Sequence, residues 1–160
     1  MTILTLRSID ATNRSAVEAL QVATTQRRFI EGVADSLSEA EAQDHPPWCR
    51  AVYAGETPVG FVMVADNDPT CLWPYYLWRF LVDARYQGRG YGRSAMELVA
   101  AHVAARPQAD YLVTSVACYE DPEISRHSPI GFYLACGFEQ TGEHNGLEIV
   151  IRLSLASRRR

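Results

Sequence analysis

The sequence predicts a single α/β (α+β) domain with about seven strands and four helices. Its 160 residues are 48% hydrophobic and 21% charged, which suits one ordinary core and leaves little room for a second. Strand-like and helical segments follow one another in the order β-α-α-β-β-β-α-β-α-β-β, without an internal repeat or a linker. We therefore assign residues 1–156 to one domain and residues 157–160 to a frayed basic tail.

The first strand and the first two helices precede a pair of prolines. Residues 3–6 form a short apolar strand, and the polar residues 12–13 can cap the helix that follows. The second helix is predicted to begin at Ser36, because its hydroxyl and the Glu39 carboxylate have the spacing of a capping box. The prolines at positions 46–47 are expected to end this helix.

Three further strands complete the first half of the chain. Residues 50–54 and 59–65 are rich in β-forming residues and are joined by a short segment with turn residues, so they predict a hairpin. Aromatic and branched side chains dominate Tyr75–Val82, which predicts a fourth, central strand.

The second half alternates helices and strands. The predicted elements are a helix over residues 90–105, a strand over Tyr111–Ala117, a helix from Ser128-Pro129 to Gly137, and strands over residues 138–141 and 149–155. The last two strands are expected to pair around a turn within residues 142–146, since apolar residues alternate along the final strand. The residues between 120 and 127 are expected to be a long loop.

Composition argues against several classes of function. The net charge of -4 and the pI near 5.5 disfavour nucleic-acid binding and suit a cationic substrate. The four cysteines form no close pair and no secretion signal opens the chain, so we expect a reducing, cytoplasmic location. No apolar run is long enough to span a membrane. The four histidines have no metal-ligand spacing, and residues 92–96 lack the last glycine of a serine-hydrolase elbow.

The segment from Gln87 to Gly92 is the main candidate binding element. Its glycines lie between the fourth strand and a helix, where they permit backbone conformations and close approaches that side chains would block. The free amides at the start of the helix can then face a pyrophosphate, with help from Arg89 or Arg93. A tight connection without a ligand is the plain alternative. The position after a fourth strand and the missing Gly-Lys-Ser/Thr argue against a dinucleotide fingerprint and an NTPase phosphate loop.

These residues resemble the acetyl-CoA signature of the GNAT family of N-acetyltransferases. Gln87, Gly90 and Gly92 match the fixed positions of Gln/Arg-x-x-Gly-x-Gly/Ala, and residues 132–138 match a second family run, aromatic-Tyr-x-x-x-Gly-Phe. The sequence segments at residues 59–63, 77–80 and 138–143 look like those of the bacterial spermine/spermidine (diamine) acetyltransferases.

The resemblance implies a fold and a co-substrate. The fold is a mixed, mostly antiparallel twisted sheet in which strands four and five splay apart, and the co-substrate is acetyl-CoA, without a metal. The pantetheine arm would lie in the gap. The residues implied to bind acetyl-CoA are Phe80, Leu81, Val82, Gln87, Gly88, Arg89, Gly90, Tyr91, Gly92 and Arg93.

The resemblance also implies catalytic residues. Tyr133 lies at the family's general-acid position, where a phenol can donate a proton to the departing thiolate; the alternative is that it only packs the short helix. Several polyamine-acetylating relatives have a carboxylate on strand four, where this sequence has Trp-Arg at positions 78–79. Glu31, acting through a water, is the first candidate for the general base, and Asp35 and Asp66 are the other carboxylates considered.

The acceptor is expected to be a small-molecule amine. A polyamine fits an acidic mouth and aromatic walls, although a solvated helix face and sheet packing explain the same residues. The acids are Glu31, Asp35, Glu39, Glu41 and Asp44, and the aromatic residues are Trp48, Trp73, Tyr75, Tyr76 and Trp78. Arg126 is either a phosphate contact or a surface residue.

Two other kinds of function compete with polyamine acetylation. One is acetylation of a protein N-terminus, a lysine or an aminated antibiotic, and the other is a non-catalytic acetyl-CoA sensor. A homodimer is possible.

Overall fold

A computed structural model describes residues 2–158, which form a central sheet covered by helices on both faces. The strands are β1 (Leu4–Arg7), β2 (Trp48–Ala54), β3 (Thr57–Asp66), β4 (Tyr75–Val82), β5 (Tyr111–Ala117), β6 (Glu139–Asn145) and β7 (Glu148–Ser154). The α-helices are α1 (Arg14–Glu18), α2 (Val33–Glu41), α3 (Tyr91–Ala104), α4 (Pro122–Ser125) and α5 (Ile130–Ala135).

The sheet has the strand order β1-β2-β3-β4-β5-β7-β6. All neighbouring strands are antiparallel except β4 and β5, which run parallel and pair only at Tyr76 and Val113. Beyond this pair β4 and β5 separate, and no strand of the described part of the chain pairs with that edge of β4. The prediction of a mixed, mostly antiparallel sheet with strands four and five splayed is therefore confirmed.

Apolar side chains pack on both faces of the sheet, and β3 contributes to both faces. Val62 and Val64 pack with the buried side of α3, whereas Phe61 and Met63 pack with α1 and α2 on the opposite face. This alternation follows from the two-residue period of a strand. A strand that is buried on both faces explains why nearly all of β3 is apolar.

A β-bulge at Trp78 changes the face of the sheet to which the later side chains of β4 point. Met63 pairs with Arg79 but Val64 pairs with Leu77, so Trp78 is an extra residue on β4. Leu77 lies in the core beside α3, yet Leu81, four residues later, lies in the core beside α1 and α2. In a regular strand these two leucines would share a face. The bulge therefore allows consecutive side chains of β4 to face the same cleft.

Most element predictions are confirmed, and β4, β5 and α3 lie at or within one residue of the predicted bounds. The predicted start of α2, at Ser36, was wrong. The helix begins at Val33, and the buried Ser36 hydroxyl donates to the Gly32 carbonyl at 2.7 Å instead of capping the helix. Val33, Leu37 and Ala40 form its buried stripe, so the apolar period continues through Ser36. The helix also ends at Glu41, before the prolines.

Three further differences lie in the second half. The expected loop between residues 120 and 127 contains the short helix α4, with Asp121 accepting a hydrogen bond from the Glu123 amide. The last hairpin turns after Asn145, so Gly142 lies within β6 at a register irregularity. Arg158, expected to be frayed, binds Glu97 of α3 at 3.0 Å. Residues 159–160 of the predicted tail lie outside the described residues.

Candidate functional site

Two neighbouring cavities open where β4 and β5 separate. The first cavity, about 430 Å³, lies between the end of β4, the glycine turn and α5. The second cavity, about 570 Å³, lies between β4, β5, β7 and the segment before α2. Phe29 and Ile30 line both cavities and so mark their common boundary.

The glycine turn shapes one end of the first cavity. Gly88 and Gly90 have φ angles of +76° and +81°, in the left-handed region that favours glycine. Gly90 caps α3, and its carbonyl accepts from the Ser94 amide at 3.2 Å. The amides of the preceding helix positions have no carbonyl one turn earlier to bind. The turn can therefore present amide donors and the positive end of the α3 dipole to an anion.

Gln87 holds this turn against β4. Its side-chain amide donates to the Val82 carbonyl and to the Gln26 side chain, both at 2.8 Å. Asp83, almost wholly buried, accepts from the backbone amides of Gln21 and Arg85 at 2.9 Å. Burial opposes ionisation of Asp83, but hydrogen bonds from Arg85 and these amides outweigh it and lower the pKa of the carboxyl. The path from strand to turn is therefore fixed by polar contacts.

Nine of the ten residues expected to bind acetyl-CoA line the first cavity, and Arg89 does not. Arg89 is exposed, with its guanidinium 5.6 Å from the Tyr86 ring centre. Arg93 lines the cavity and donates to the Ala135 carbonyl at 2.6 Å, which joins α3 to the end of α5. Arg126 pairs with Glu123 at 3.6 Å on the exposed surface, outside the cavity lining.

Gly92 permits a close approach between α3 and α5. A methyl group at this position would lie 3.0 Å from the Phe132 ring. Phe132 stacks on Phe80 of β4, with ring centres 5.8 Å apart. The missing side chain at Gly92 therefore lets α5 close one wall of the first cavity.

Tyr133 lines the first cavity from α5 and is 8% exposed. Its ring packs edge-on against Phe132 and Phe138, as the packing interpretation expected. Within residues 2–158 no group hydrogen-bonds its hydroxyl. Burial, with smaller contributions from Tyr76 and Cys136, raises the pKa of Tyr133. The phenol therefore keeps its proton at neutral pH and has a donor hydrogen that no described group uses.

The second cavity contains Glu31, so the two predicted catalytic side chains lie in different but adjoining cavities. Trp73 and Tyr76 stack in its wall with ring centres 5.4 Å apart, and Trp78 lies beside them. The Trp78 bulge explains how both Trp78 and Arg79 line this cavity.

Most of the other candidate acids and aromatic residues are paired, packed or exposed to solvent. Glu39 pairs with Arg79 at 2.9 Å, and Asp66 pairs with Arg106 at 2.9 Å. Glu41 pairs with Arg14, Trp48 stacks on His102, and the buried Tyr75 donates to the Pro107 carbonyl. Asp35 and Asp44 are exposed and do not line the second cavity. These contacts agree with the packing and solvated-face interpretations of the sequence.

Sequence reasoning missed several polar residues of the second cavity, and two of them, Ser115 and Glu148, are hydrogen-bonded to each other. The Ser115 hydroxyl donates to the Glu148 carboxylate at 2.6 Å and contacts the Tyr76 hydroxyl at 2.5 Å. The three residues lie on β5, β7 and β4. No local pattern connects them, and only the strand order β4-β5-β7 could have indicated that they meet.

Residues 2–158 contain no group of three or more His, Cys, Asp or Glu side chains arranged to hold a metal ion. In the same part of the chain, none of the helices combines the length and apolar character needed to cross a membrane.

Comparisons with known proteins agree with this architecture. The model of the acetyltransferase (GNAT) family matches residues 13–138. The spermine/spermidine N(1)-acetyltransferase of Bacillus subtilis (strain 168) is 27% identical over 158 residues, covering 93% of this chain and 97% of the relative. The resemblance to bacterial spermine/spermidine acetyltransferases is thus confirmed at low identity.

Solved structures show the same fold. The aminoglycoside N(6')-acetyltransferase from Legionella pneumophila superimposes with a TM-score of 0.70 at 14% identity, covering 99% of this chain and 95% of that chain. The spermidine N-acetyltransferase from Vibrio cholerae, in complex with CoA and spermine, gives 0.63 at 17% identity, covering 93% and 92%. The family match, which spans most of the domain, confirms the predicted N-acetyltransferase: the chain belongs to the acetyltransferase (GNAT) family.

Proposed function

We propose that the chain transfers the acetyl group of acetyl-CoA to a primary amine by direct attack within a ternary complex. The observation that carries this proposal is the first cavity, which connects the glycine turn to Tyr133 along the unpaired edge of β4. The backbone of Phe80, Leu81 and Val82 would hold the pantetheine arm, and residues 87–93 would hold the pyrophosphate. Acetyl-CoA would supply an activated acetyl thioester.

Tyr133 is the proposed general acid. Its raised pKa keeps the phenol protonated, and its hydroxyl is available to hydrogen-bond the departing sulfur. Burial also strengthens such a hydrogen bond, because the surroundings screen it less than water does. Packing and catalysis are compatible here, since the ring contacts Phe132 and Phe138 while the hydroxyl has no hydrogen-bond partner among residues 2–158.

The second cavity is the proposed site of the acceptor amine. Its aromatic wall suits the methylene groups and the positive charge of a small cationic amine. Its lining contains three arginines and two glutamates, so the cavity charge does not itself select a polycation. The polyamine assignment rests on similarity to the spermine/spermidine acetyltransferase. Glu31, acting through a water, and Glu148 line this cavity and are the two candidate proton acceptors.

Thiol release with a panel of amines tests these assignments. The panel consists of spermine, spermidine, an aminoglycoside and a lysine-containing peptide, each with acetyl-CoA. Release that depends on a polyamine supports the proposal, whereas release that depends on the peptide supports a protein acetyltransferase. Binding of acetyl-CoA without release for any amine would indicate a sensor. No binding by the folded chain would overturn the transferase proposal.

The role of Tyr133 is tested by Tyr133→Phe. We expect the melting temperature and the acetyl-CoA affinity to stay close to those of the unaltered chain, while turnover falls by about a hundredfold. Tyr111→Phe is the matched control, because Tyr111 is exposed at the start of β5, outside both cavities. Unchanged turnover in Tyr133→Phe would leave Tyr133 with a packing role only.

A homodimer and a cytoplasmic location also remain proposals. The edge strand β6 is mostly exposed and offers a surface for pairing between copies. Sedimentation of the purified chain over a range of concentrations would test the dimer. A single monomeric species throughout would exclude it under those conditions.

A further inference from the structure

Three side chains form a hydrogen-bonded chain at the point where β4 and β5 separate. The Tyr76 and Ser115 hydroxyl oxygens are 2.5 Å apart, and the Ser115 oxygen is 2.6 Å from Glu148 Oε2. Tyr76 is also the residue of β4 that makes the single pair with β5, through Val113. Tyr76, Ser115 and Glu148 all line the second cavity.

While Glu148 is ionised, the hydrogen bonds among these three side chains can have only one direction of donation. A serine hydroxyl has one hydrogen, and Ser115 gives it to the carboxylate. Tyr76 must then donate its own hydrogen to the Ser115 oxygen. Within residues 2–158 no other group hydrogen-bonds the Tyr76 hydroxyl, so its oxygen can accept a hydrogen bond from a molecule in the cavity.

We propose that Tyr76, Ser115 and Glu148 form a proton relay that deprotonates the acceptor ammonium before acetyl transfer. This inference rests on the proposed function. A proton moves from the ammonium nitrogen to the Tyr76 oxygen, the Tyr76 proton moves to Ser115, and the Ser115 proton moves to Glu148. The products are a neutral amine and a protonated Glu148 carboxyl, while both hydroxyl groups are restored. Protons and charge therefore balance without another reactant.

Charged groups surround the relay. Arg27 and Arg28 line the same cavity from the segment before α2, and Arg79 lines it from β4. These positive charges disfavour a bound ammonium and assist loss of its proton, and they also favour the ionised form of Glu148, which accepts it. The other titratable neighbours are Glu31 and Cys71 in the same lining, Tyr133 of α5, and Glu39, which pairs with Arg79.

The three side chains of the relay are not the only connection between β4 and β5 among the described residues. Thr114 donates to the Leu77 carbonyl at 2.8 Å, so β5 already holds β4 by a buried hydrogen bond one residue away. Burial is the main cause that raises the pKa of Tyr76. Its phenol therefore stays protonated near neutral pH, which suits a group that passes protons on in a concerted step.

Glu148→Gln is the decisive variant. The glutamine oxygen can still accept from Ser115, but the side chain cannot take up a proton. With the panel amine that the unaltered chain acetylates fastest, we expect kcat/KM at pH 7 to fall by about a hundredfold. The deficit should shrink towards pH 10, because the solution then supplies neutral amine. Glu143→Gln, on the exposed strand β6, is the matched control and should leave the profile unchanged.

Tyr76→Phe interrupts the same route without removing the carboxylate. It should reproduce the pH profile of Glu148→Gln, and the double variant should be no slower than either single variant, because both block one path. Melting temperatures identify any variant that fails to fold, and Ser115→Ala then replaces it. Acetyl-CoA affinity should be unchanged in all of them, since none of these residues lines the first cavity.

The outcomes separate this inference from the proposed function. If the unaltered chain acetylates an amine but folded Glu148→Gln keeps its pH profile, the relay is wrong and the proposed function stands. A changed profile in Glu31→Gln alone would assign the proton to the water route and also overturn the relay. If the unaltered chain acetylates no amine, both ideas fail together.

Discussion

Replacement of one hydrogen by a methyl group should have opposite effects at two exposed glycines, Gly90 and Gly131. Gly90 begins α3 with φ +81°, and an added methyl group would meet no atom within 4 Å. Gly131 lies in α5, and a methyl group there also meets nothing within 4 Å. Because neither site is crowded, the difference between the two alanine variants isolates the backbone conformation.

The magnitudes follow from that conformation. Alanine in place of glycine reduces the freedom of the unfolded chain, which stabilises the fold by about 0.4–1 kcal/mol. At Gly90 the left-handed conformation costs alanine about 1–2 kcal/mol, so Gly90→Ala should be destabilised by about 1 kcal/mol net. Gly131→Ala should be stabilised by roughly 0.5–1 kcal/mol. In a chain of this size these changes correspond to melting shifts of about 2–4 °C in opposite directions.

Thermal and urea unfolding measure both variants, and calorimetry measures their affinity for CoA. Strain at Gly90 should also redirect the amides at the start of α3, so Gly90→Ala should bind CoA about tenfold more weakly while Gly131→Ala binds it normally. A Gly90→Ala chain as stable as the unaltered one would refute the left-handed turn. Lower stability with unchanged affinity would instead refute the placement of the pyrophosphate.

Three further predictions concern the frame of the site. Thr114→Val removes the hydrogen bond to the Leu77 carbonyl and should lower the free energy of unfolding in urea by about 1–2 kcal/mol; no change would mean that this bond contributes nothing. Gly92→Ala places a methyl group against the Phe132 ring and should weaken CoA binding measured by calorimetry; an unchanged affinity would show that this close approach is not needed for binding. The pKa of Asp83 is lowered in the fold, so its ionised form stabilises the fold above the unfolded pKa of about 3.9, and this contribution disappears as the pH falls further. Asp83→Asn should therefore have a lower free energy of unfolding than the unaltered chain at pH 7, but should lose less of it between pH 5 and pH 3. The same loss in both proteins over this pH range would contradict the prediction.

The strands and the glycine turn could be predicted because their signals are local. The aromatic and branched run at Tyr75–Val82 lies between a proline and a glycine-rich turn, so both of its ends were visible. The glycines of the turn adopt the backbone angles that only glycine tolerates easily. The start of α2 could not be predicted in this way, because Ser36 looks like a cap but its hydroxyl bonds within the helix.

The candidate site depends on longer distances along the chain. The splay of β4 and β5 followed from the resemblance to the GNAT family, since no residue pattern in either strand marks where pairing stops. Tyr76, Ser115 and Glu148 meet only because β5 lies between β4 and β7. Ion pairs of Glu39 and Asp66 with distant arginines were equally hidden. Local patterns thus predicted the binding turn, whereas the acceptor cavity required the assembled sheet.

The extra residue at Trp78 adds a side chain to the cleft without changing the layers on either side of it. Loss of Trp78 alone would restore the two-residue alternation and a continuous register with β3, with Leu77, Phe80 and Leu81 keeping their layers. The second cavity would then keep Arg79 and lose the Trp78 ring. The bulge therefore serves the cavity rather than the core, and a chain without it is expected to keep its sheet while the cavity wall changes.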